Sequence, residues 1–217
     1  MARGTDFGGI HSYRDLNLIQ QKVVVAPATP KLNLIDIPGA NGSKDLSEQP
    51  AGRVVFKDRK ITWTFALYPG DNWPEKRREV SNALNGRRCR ITLDEDPDYY
   101  FDGRLSVKSS TSSRTLRQIT VEATCAPYML LQTETVISTE LTTTALRIPI
   151  PNESRPAIPR ITVTAQTTVE YNGGSYTLTP GEHTLLDIEF PAGTSYLTAK
   201  TVSGTGDITI TYQEGSL

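Results

Sequence analysis

Turn-forming residues punctuate the chain at intervals of about ten residues from Arg160 to its end. The turns are Asn172–Gly174, Pro180–Glu182, Pro191–Gly193 and Ser203–Gly206. A segment broken this often cannot form long helices, and it predicts a small β-sandwich. Its predicted strands are Ile161–Ala165, Thr168–Tyr171, Ser175–Thr179, Thr184–Phe190, Ser195–Val202 and Asp207–Gln213.

Short apolar alternations also dominate the first half of the chain. They predict half-buried strands at Leu16–Val25 and Leu32–Ile37, and a hairpin of Arg53–Phe56 with Ile61–Leu67 whose tip is Lys57–Lys60. Pro38–Gly52 is rich in Gly, Pro, Ser and Asn, which predicts a long irregular loop. Further strands are predicted at Cys89–Leu93, Tyr99–Val107 and Leu116–Thr124.

One helix is predicted between Asp71 and Gly86. Asp71 and Asn72 can cap its start, Pro74 and Glu75 suit its first turn, and Gly86 ends it. The apolar spacing places Val80, Ala83 and Leu84 against a sheet, with Lys76, Arg78 and Glu79 toward water.

The segment Ile91–Leu105 predicts a β-hairpin whose turn consists of acidic residues around a proline, namely Asp94, Glu95, Asp96, Pro97 and Asp98. Clustered carboxylates can bind Ca²⁺ or act as paired acids, but the Gly and terminal Glu of an EF-hand are missing. A solvated turn whose charges contribute little to stability is the favoured interpretation. Tyr99, Tyr100 and Phe101 then alternate between core and surface.

The composition of the chain changes in the segment from Leu130 to Pro151, which is rich in Thr and Ser. The segment Asn152–Pro159, with two prolines, predicts a connecting loop. Up to residue 130 there are 19 Lys and Arg against 15 Asp and Glu; after it there are 4 against 9. The different charge of the two parts indicates two domains, 1–133 and 134–217. Neither part is basic enough to predict sequence-specific nucleic-acid binding.

No catalytic, cofactor-binding or metal site is predicted. His11 and His183 have no second ligand at metal spacing, and no P-loop, nucleophile elbow or zinc-protease motif is present. Cys89 and Cys125 are interpreted as buried free thiols, with a disulfide as the open alternative. Tyrosines that could stack on sugars, or pack into the second sandwich, are Tyr171, Tyr176, Tyr196 and Tyr212.

There is no signal peptide and no apolar run of about 20 residues, so the sequence predicts a protein made in the cytoplasm without a membrane span.

The order of motifs resembles the distal tail proteins of long-tailed phages. FGGIHS begins at Phe7, IPGANG at Ile37, the helix runs to Gly86, the acidic hairpin follows, and the series closes with ATCAPY at Ala123–Tyr128. The resemblance covers about the first 130 residues. Ala123 stands where the family commonly has an aromatic residue. The rest of the chain is similar in pattern to the galectin-like β-sandwich of some distal tail proteins.

This resemblance implies a mainly β fold: an N-terminal antiparallel β-sandwich with one α-helix that forms a hexameric ring, and a small C-terminal galectin-like β-sandwich. It implies a structural virion protein at the distal end of the tail, located between the tail tube protein and the tail-tip or tail-associated lysin protein. The ring would leave a channel for DNA ejection, and receptor-binding proteins or a host glycan are further partners. The alternatives are a carbohydrate-binding adhesion protein of two sandwiches, a tail-tube subunit, and a glycan hydrolase that uses acidic residues.

Overall fold

Most residues lie in β-strands in the computed structural model of the chain, which describes residues 3–67, 72–112 and 117–217. These residues divide into two units, one up to residue 129 that also takes in Leu217, and one of residues 130–216. Within the described residues there is one α-helix, so the prediction of a mainly β chain with one helix is confirmed.

The first unit contains six consecutively paired strands of an antiparallel sheet, a small separate hairpin and the helix. Its elements are β1 (Thr5–Phe7), β2 (Leu18–Val25), β3 (Leu34–Asp36), β4 (Ser43–Asp45), β5 (Arg59–Leu67), α1 (Trp73–Leu84), β6 (Arg88–Leu93), β7 (Asp96–Ser112) and β8 (Arg117–Cys125). The next strand, β9 (Met129–Leu131), begins at residue 129 and continues into the second unit. The six strands follow the order β1-β6-β7-β8-β5-β2, and β3 pairs with β4. Of the predicted strand Leu116–Thr124, Leu116 lies outside the described residues.

The core of this unit lies on the inner face of the sheet. Strand β5 alternates strictly, so that Ile61, Trp63, Phe65 and Leu67 all point inward. The ring of Phe7 meets the indole of Trp63 edge to face, with 5.1 Å between ring centroids. Strand β1 and strand β5 therefore share one apolar layer, although β6 is the strand that pairs with β1 among the described strands.

The helix covers the same core through Val80 and Leu84, as its spacing predicts. Asn72 occupies the N-cap position, but its side chain makes no capping hydrogen bond; Asp71 lies outside the described residues. The expectation that Lys76 faces water is wrong, because its side chain is only 15% exposed and pairs with Glu79 at 2.7 Å.

The N-terminal segment is held by a buried hydrogen-bonded node around His11. The imidazole Nδ1 accepts hydrogen bonds from the backbone N–H groups of Tyr13 (3.2 Å) and Arg14 (3.1 Å). The ring proton is therefore on Nε2, which donates to an Asp94 carboxylate oxygen at 3.1 Å. The same carboxylate accepts the backbone N–H of Gly4 at 2.8 Å. His11 thus has a structural role that its position in the sequence does not reveal.

The predicted hairpin at Ile91–Leu105 is present, but its turn is shorter than expected. Leu93 pairs with Asp96, so the turn contains only Asp94 and Glu95, and the residues from Asp96 onward belong to β7. The register then shifts, since Ile91 pairs with Phe101, and the extra residues of β7 form a bulge. Asp94 is consequently not a freely solvated turn charge.

The second unit is a sandwich of two four-stranded antiparallel sheets. Its elements are β10 (Thr135–Leu141), β11 (Leu146–Asn152), β12 (Arg160–Val163), β13 (Thr167–Tyr171), β14 (Gly174–Leu178), β15 (Gly181–Thr184), β16 (Gly193–Thr201), β17 (Gly206–Tyr212) and β18 (Gly215–Ser216). The sheet orders are β10-β17-β12-β15 and β11-β16-β13-β14. Phe190 packs edge to face between Tyr171 and Tyr212, with 5.5 Å between centroids on each side.

The predicted strand Thr184–Phe190 is wrong. The strand in this region is β15, which ends where the predicted one begins and pairs with β12. The following residues turn back, and Phe190 exchanges two backbone hydrogen bonds with Ala157 at 2.8 and 3.0 Å. Ile188 and Phe190 are apolar because they fill the core from an irregular segment.

Replacing Asp94 with Ala should lower the free energy of unfolding by about 1–3 kcal/mol, because the buried donors of His11 and Gly4 lose their acceptor. Glu95→Ala is the matched control: Glu95 pairs with the exposed Arg3 at 3.5 Å, and loss of this exposed pair should change stability by less than about 0.5 kcal/mol. Urea unfolding of the two variants measures the difference. Equal stabilities would contradict the structural role of Asp94.

Candidate assembly surface

A segment of the first unit lies between β2 and β5, outside the main sheet. We define the arm as residues 26–58. Its base is closed by backbone hydrogen bonds from Lys31 N–H to Val55 O and from Lys57 N–H to Thr29 O, both 2.8 Å. Its end is the β3–β4 hairpin, in which the Ser43 hydroxyl donates to Asp36 at 2.5 Å.

The arm exposes large apolar side chains. Within the described residues, seven of the fourteen exposed large hydrophobic residues lie in or just before it: Val24, Val25, Leu32, Leu34, Ile35, Ile37 and Val54. Leu34 and Ile35 are 53% and 46% exposed, although neighbouring residues of a strand point to opposite faces. Both faces of the hairpin are therefore uncovered within this chain, and a two-stranded hairpin by itself is only marginally stable in water.

Three expectations for this region are wrong. The segment Leu32–Ile37 is not half-buried, and the predicted irregular loop Pro38–Gly52 contains strand β4. Arg53–Phe56 forms no strand with Ile61–Leu67; β5 pairs with β2 and β8 instead. The apolar side chains of Leu32–Ile37 are exposed in the described part of the chain.

Strand β2 is an edge strand of the main sheet, because among the described strands it pairs only with β5. Its register shifts between Gln20 and Lys22, so Gln21 bulges. An edge strand offers unpaired N–H and C=O groups to another chain, and a bulge limits how far such pairing extends. The edge ends at Val24 and Val25, directly at the base of the arm.

The two cysteines lie in one row across the sheet, separated by a glycine. Gly103 on β7 pairs with Cys89 on β6 and with Cys125 on β8, and Cys125 pairs with Arg59 on β5. Two strand spacings put the cysteine Cα atoms about 9.5 Å apart, beyond disulfide distance. The prediction of free thiols is confirmed, although Cys89 is only half-buried.

Burial controls the chemistry of this row. It raises the pKa of the Cys125 thiol to about 12 and also raises the pKa of Cys89, so both stay protonated at neutral pH. Burial also lowers the pKa of Arg59, whose guanidinium lies 5.7 Å from the centre of the Phe101 ring. The arrangement disfavours a nucleophilic cysteine and is consistent with packing.

The remaining candidate residues are dispersed. Tyr100 and Phe101 are both buried rather than alternating, because the β7 bulge interrupts the alternation. Tyr171 and Tyr212 are in the second core, which leaves Tyr196 as the exposed tyrosine of the four. His183 contacts the carbonyl of Thr179 at 2.7 Å. The carboxylates of the acidic turn do not form a metal site: the described residues contain no group of three His, Cys, Asp or Glu able to hold a metal ion.

No helix in the described part of the chain is long and apolar enough to cross a membrane.

Comparison with known proteins gives a fold match. No protein-family model matches the chain, and no curated protein matches it significantly. Among solved structures, it is similar to the crystal structure of the Dit protein of phage SPP1, described as a paradigm of the hub adsorption apparatus in phages that infect Gram-positive hosts. The TM-score is 0.69 at 16% identity, and the match covers 100% of both chains. The chain therefore has a Dit-like fold over its whole length.

Gly103→Ala should destabilise the first unit by about 1–3 kcal/mol, because a Cβ there would lie 2.4 Å from the Cys125 sulfur and 3.0 Å from the Thr124 carbonyl oxygen. Adding Cys125→Ala removes the sulfur atom that the new Cβ would meet, and it should recover part of the lost stability. Thermal unfolding of the single and double variants tests this coupling. Additive effects would contradict it.

Proposed function

We propose that this protein is a structural component of the distal tail of a long-tailed phage or prophage, where it forms a hexameric ring. The observation that carries the proposal is the full-length fold match to a hub adsorption protein, at a TM-score of 0.69. The order of sequence motifs over the first 130 residues supports it independently. The roles of His11 and Cys125 in packing favour a structural function over an enzymatic one.

The arm gives the ring a physical basis. In a heterologous contact, one surface of a subunit meets a different surface of the next subunit. Such contacts form a ring when the rotations from one subunit to the next add up to a full turn. The arm and the open edge of β2 are two such surfaces on one chain. Apolar side chains on both faces of the β3–β4 hairpin are covered only if the arm lies between parts of a neighbour.

The ring would connect the tail tube protein to the tail-tip or tail-associated lysin protein and leave a channel for DNA. Receptor-binding proteins are further partners, and the location is the virion, at the distal end of the tail. We assign ring formation to residues 1–133 and an appended galectin-like module to residues 134–217. The support for this assignment is that the arm and β2 belong to the first part of the chain.

The purified chain should have a mass in solution six times its protomer mass of 23.9 kDa, since each arm needs a neighbouring copy to cover it. Mass photometry measures the mass, and negative-stain electron microscopy should show a central hole. Compact single particles without a hole, also after addition of tail tube protein, would exclude the ring.

The double variant Leu34→Asp, Ile35→Asp should convert the ring to monomers without unfolding either unit. Two desolvated carboxylates at the contact cost far more than the lost apolar burial, while in the monomer both positions face water. Light scattering measures the mass, and circular dichroism checks the fold.

Leu186→Asp is the matched control for the arm variant. Leu186 is 75% exposed and lies in the second unit, so the same chemical change should leave the ring intact. Rings that survive the arm variant would rule out the arm as the contact. Loss of the ring in both the arm variant and Leu186→Asp would contradict the proposal that the first unit alone forms the ring contacts.

A further inference from the structure

The outer face of one sheet of the second unit carries a row of polar side chains in register. Arg147 on β11 pairs with Thr198 on β16, Thr198 with Glu170 on β13, and Glu170 with Ser175 on β14. The residues on either side of Thr198 and of Glu170 are buried, and Ile148 beside Arg147 is buried too, so these three side chains point outward. Ser175 is exposed and lies directly opposite Glu170, on the same face. Three strand spacings give the row a length of about 14 Å, which is longer than one sugar ring.

The cationic end of this row is held in position by an aromatic ring. The guanidinium carbon of Arg147 lies 3.7 Å from the centre of the Tyr196 ring. Tyr196 is 47% exposed and stands on the same face, one outward position from Thr198. Stacking on the ring orients the guanidinium fork and reduces the entropy lost when its donors bind a ligand.

The row lines a groove of about 350 Å³, a volume within the usual range for small-molecule sites. One wall is the β13–β14 turn, where Asn172 and Gly173 have φ values of +47° and +82°. This two-residue turn with both φ values positive is the rigid type that suits a hairpin, so it adds the Asn172 amide at a defined position. The groove is formed entirely by residues of the second unit.

The charges in the groove are not used for folding. Among the described residues, neither Arg147 nor Glu170 forms an ion pair. Elsewhere in the second unit, Arg160 pairs with Glu134 at 2.7 Å and Arg155 donates to the Gln213 carbonyl at 2.9 Å. Thr198 separates the two charges, by about one strand spacing from each. Opposite charges that stay unpaired on a rigid face are available to a ligand.

The chemistry of the row selects the class of ligand. Arg147 only donates hydrogen bonds, Glu170 only accepts them, and the Thr198 and Ser175 hydroxyls do both. Sugar hydroxyls both donate and accept, so consecutive hydroxyls can satisfy all four. An anionic ligand would be attracted by Arg147 and repelled by Glu170, and a cationic ligand would meet the reverse.

We propose that this groove is a binding site for a neutral saccharide chain, with Arg147 and Glu170 as the two polar anchors. An open groove buries a small part of such a ligand, so the expected dissociation constant is on the order of 1 mM. Repetition of the site in an oligomer would strengthen attachment to a polysaccharide that presents many copies of the ligand.

Saturation-transfer NMR on the intact chain tests the proposal. The probes are glucose, galactose, rhamnose, N-acetylglucosamine, maltose and lactose, with glucuronate as the anionic comparison. At least one neutral sugar should bind, and Arg147→Gln and Glu170→Gln should each weaken it about tenfold or more, as expected for a lost hydrogen bond to a charged group. Lys200→Gln, on the same strand but outside the groove, is the matched control and should bind normally.

Absence of binding by every neutral sugar up to about 50 mM, binding of glucuronate alone, or binding unchanged in both anchor variants would each overturn the site. Both anchors are exposed, so circular dichroism should show that the variants fold. The monomeric arm variant should bind sugar like the wild type. The experiments therefore distinguish a failure of the ring proposal from a failure of the saccharide proposal.

Discussion

The packing of Trp63 against Phe7 is the contact on which the first unit depends. It joins β1 to the centre of the sheet, and the indole N–H donates to the Thr5 hydroxyl at 3.0 Å, so the contact is fixed in direction as well as buried. The node of His11 and Asp94 then ties the segment after β1 to the β6–β7 turn. Residues distant in sequence thus contribute to one core, to which the helix also adds Val80 and Leu84.

Sequence periodicity predicted the elements whose environment lies within the chain. The strict alternation of β5, the helix from Trp73 and the Asn172–Gly173 turn follow from local rules. Their predicted positions therefore lie close to those in the structure. Predictions of secondary structure and burial failed where an apolar residue is not part of a regular strand that packs into the core. Leu34 is exposed on the arm and Phe190 enters a core from an irregular segment, and neither circumstance changes the local pattern.

The candidate surfaces were less predictable than the fold, because they arise from register and not from motifs. The row from Arg147 to Ser175 joins residues on four strands, and only the sheet order reveals it. The structural role of His11 likewise depends on Asp94, which is 83 positions away in the sequence. Two of the tyrosines considered for sugar binding, Tyr171 and Tyr212, are core residues, since both faces of a sandwich strand carry similar sequence signals.

Strands β2 and β11 are both edge strands, but they differ in their proline content. Strand β11 is an edge strand of its sheet, and Pro149 and Pro151 on it have no N–H to offer to another strand. They lie opposite Tyr196 and Thr194 in β16, at alternate positions whose backbone groups point away from that partner. Strand β2 has no proline and ends in two exposed valines. Prolines thus hinder edge pairing along β11, whereas β2 offers an edge without proline to another chain.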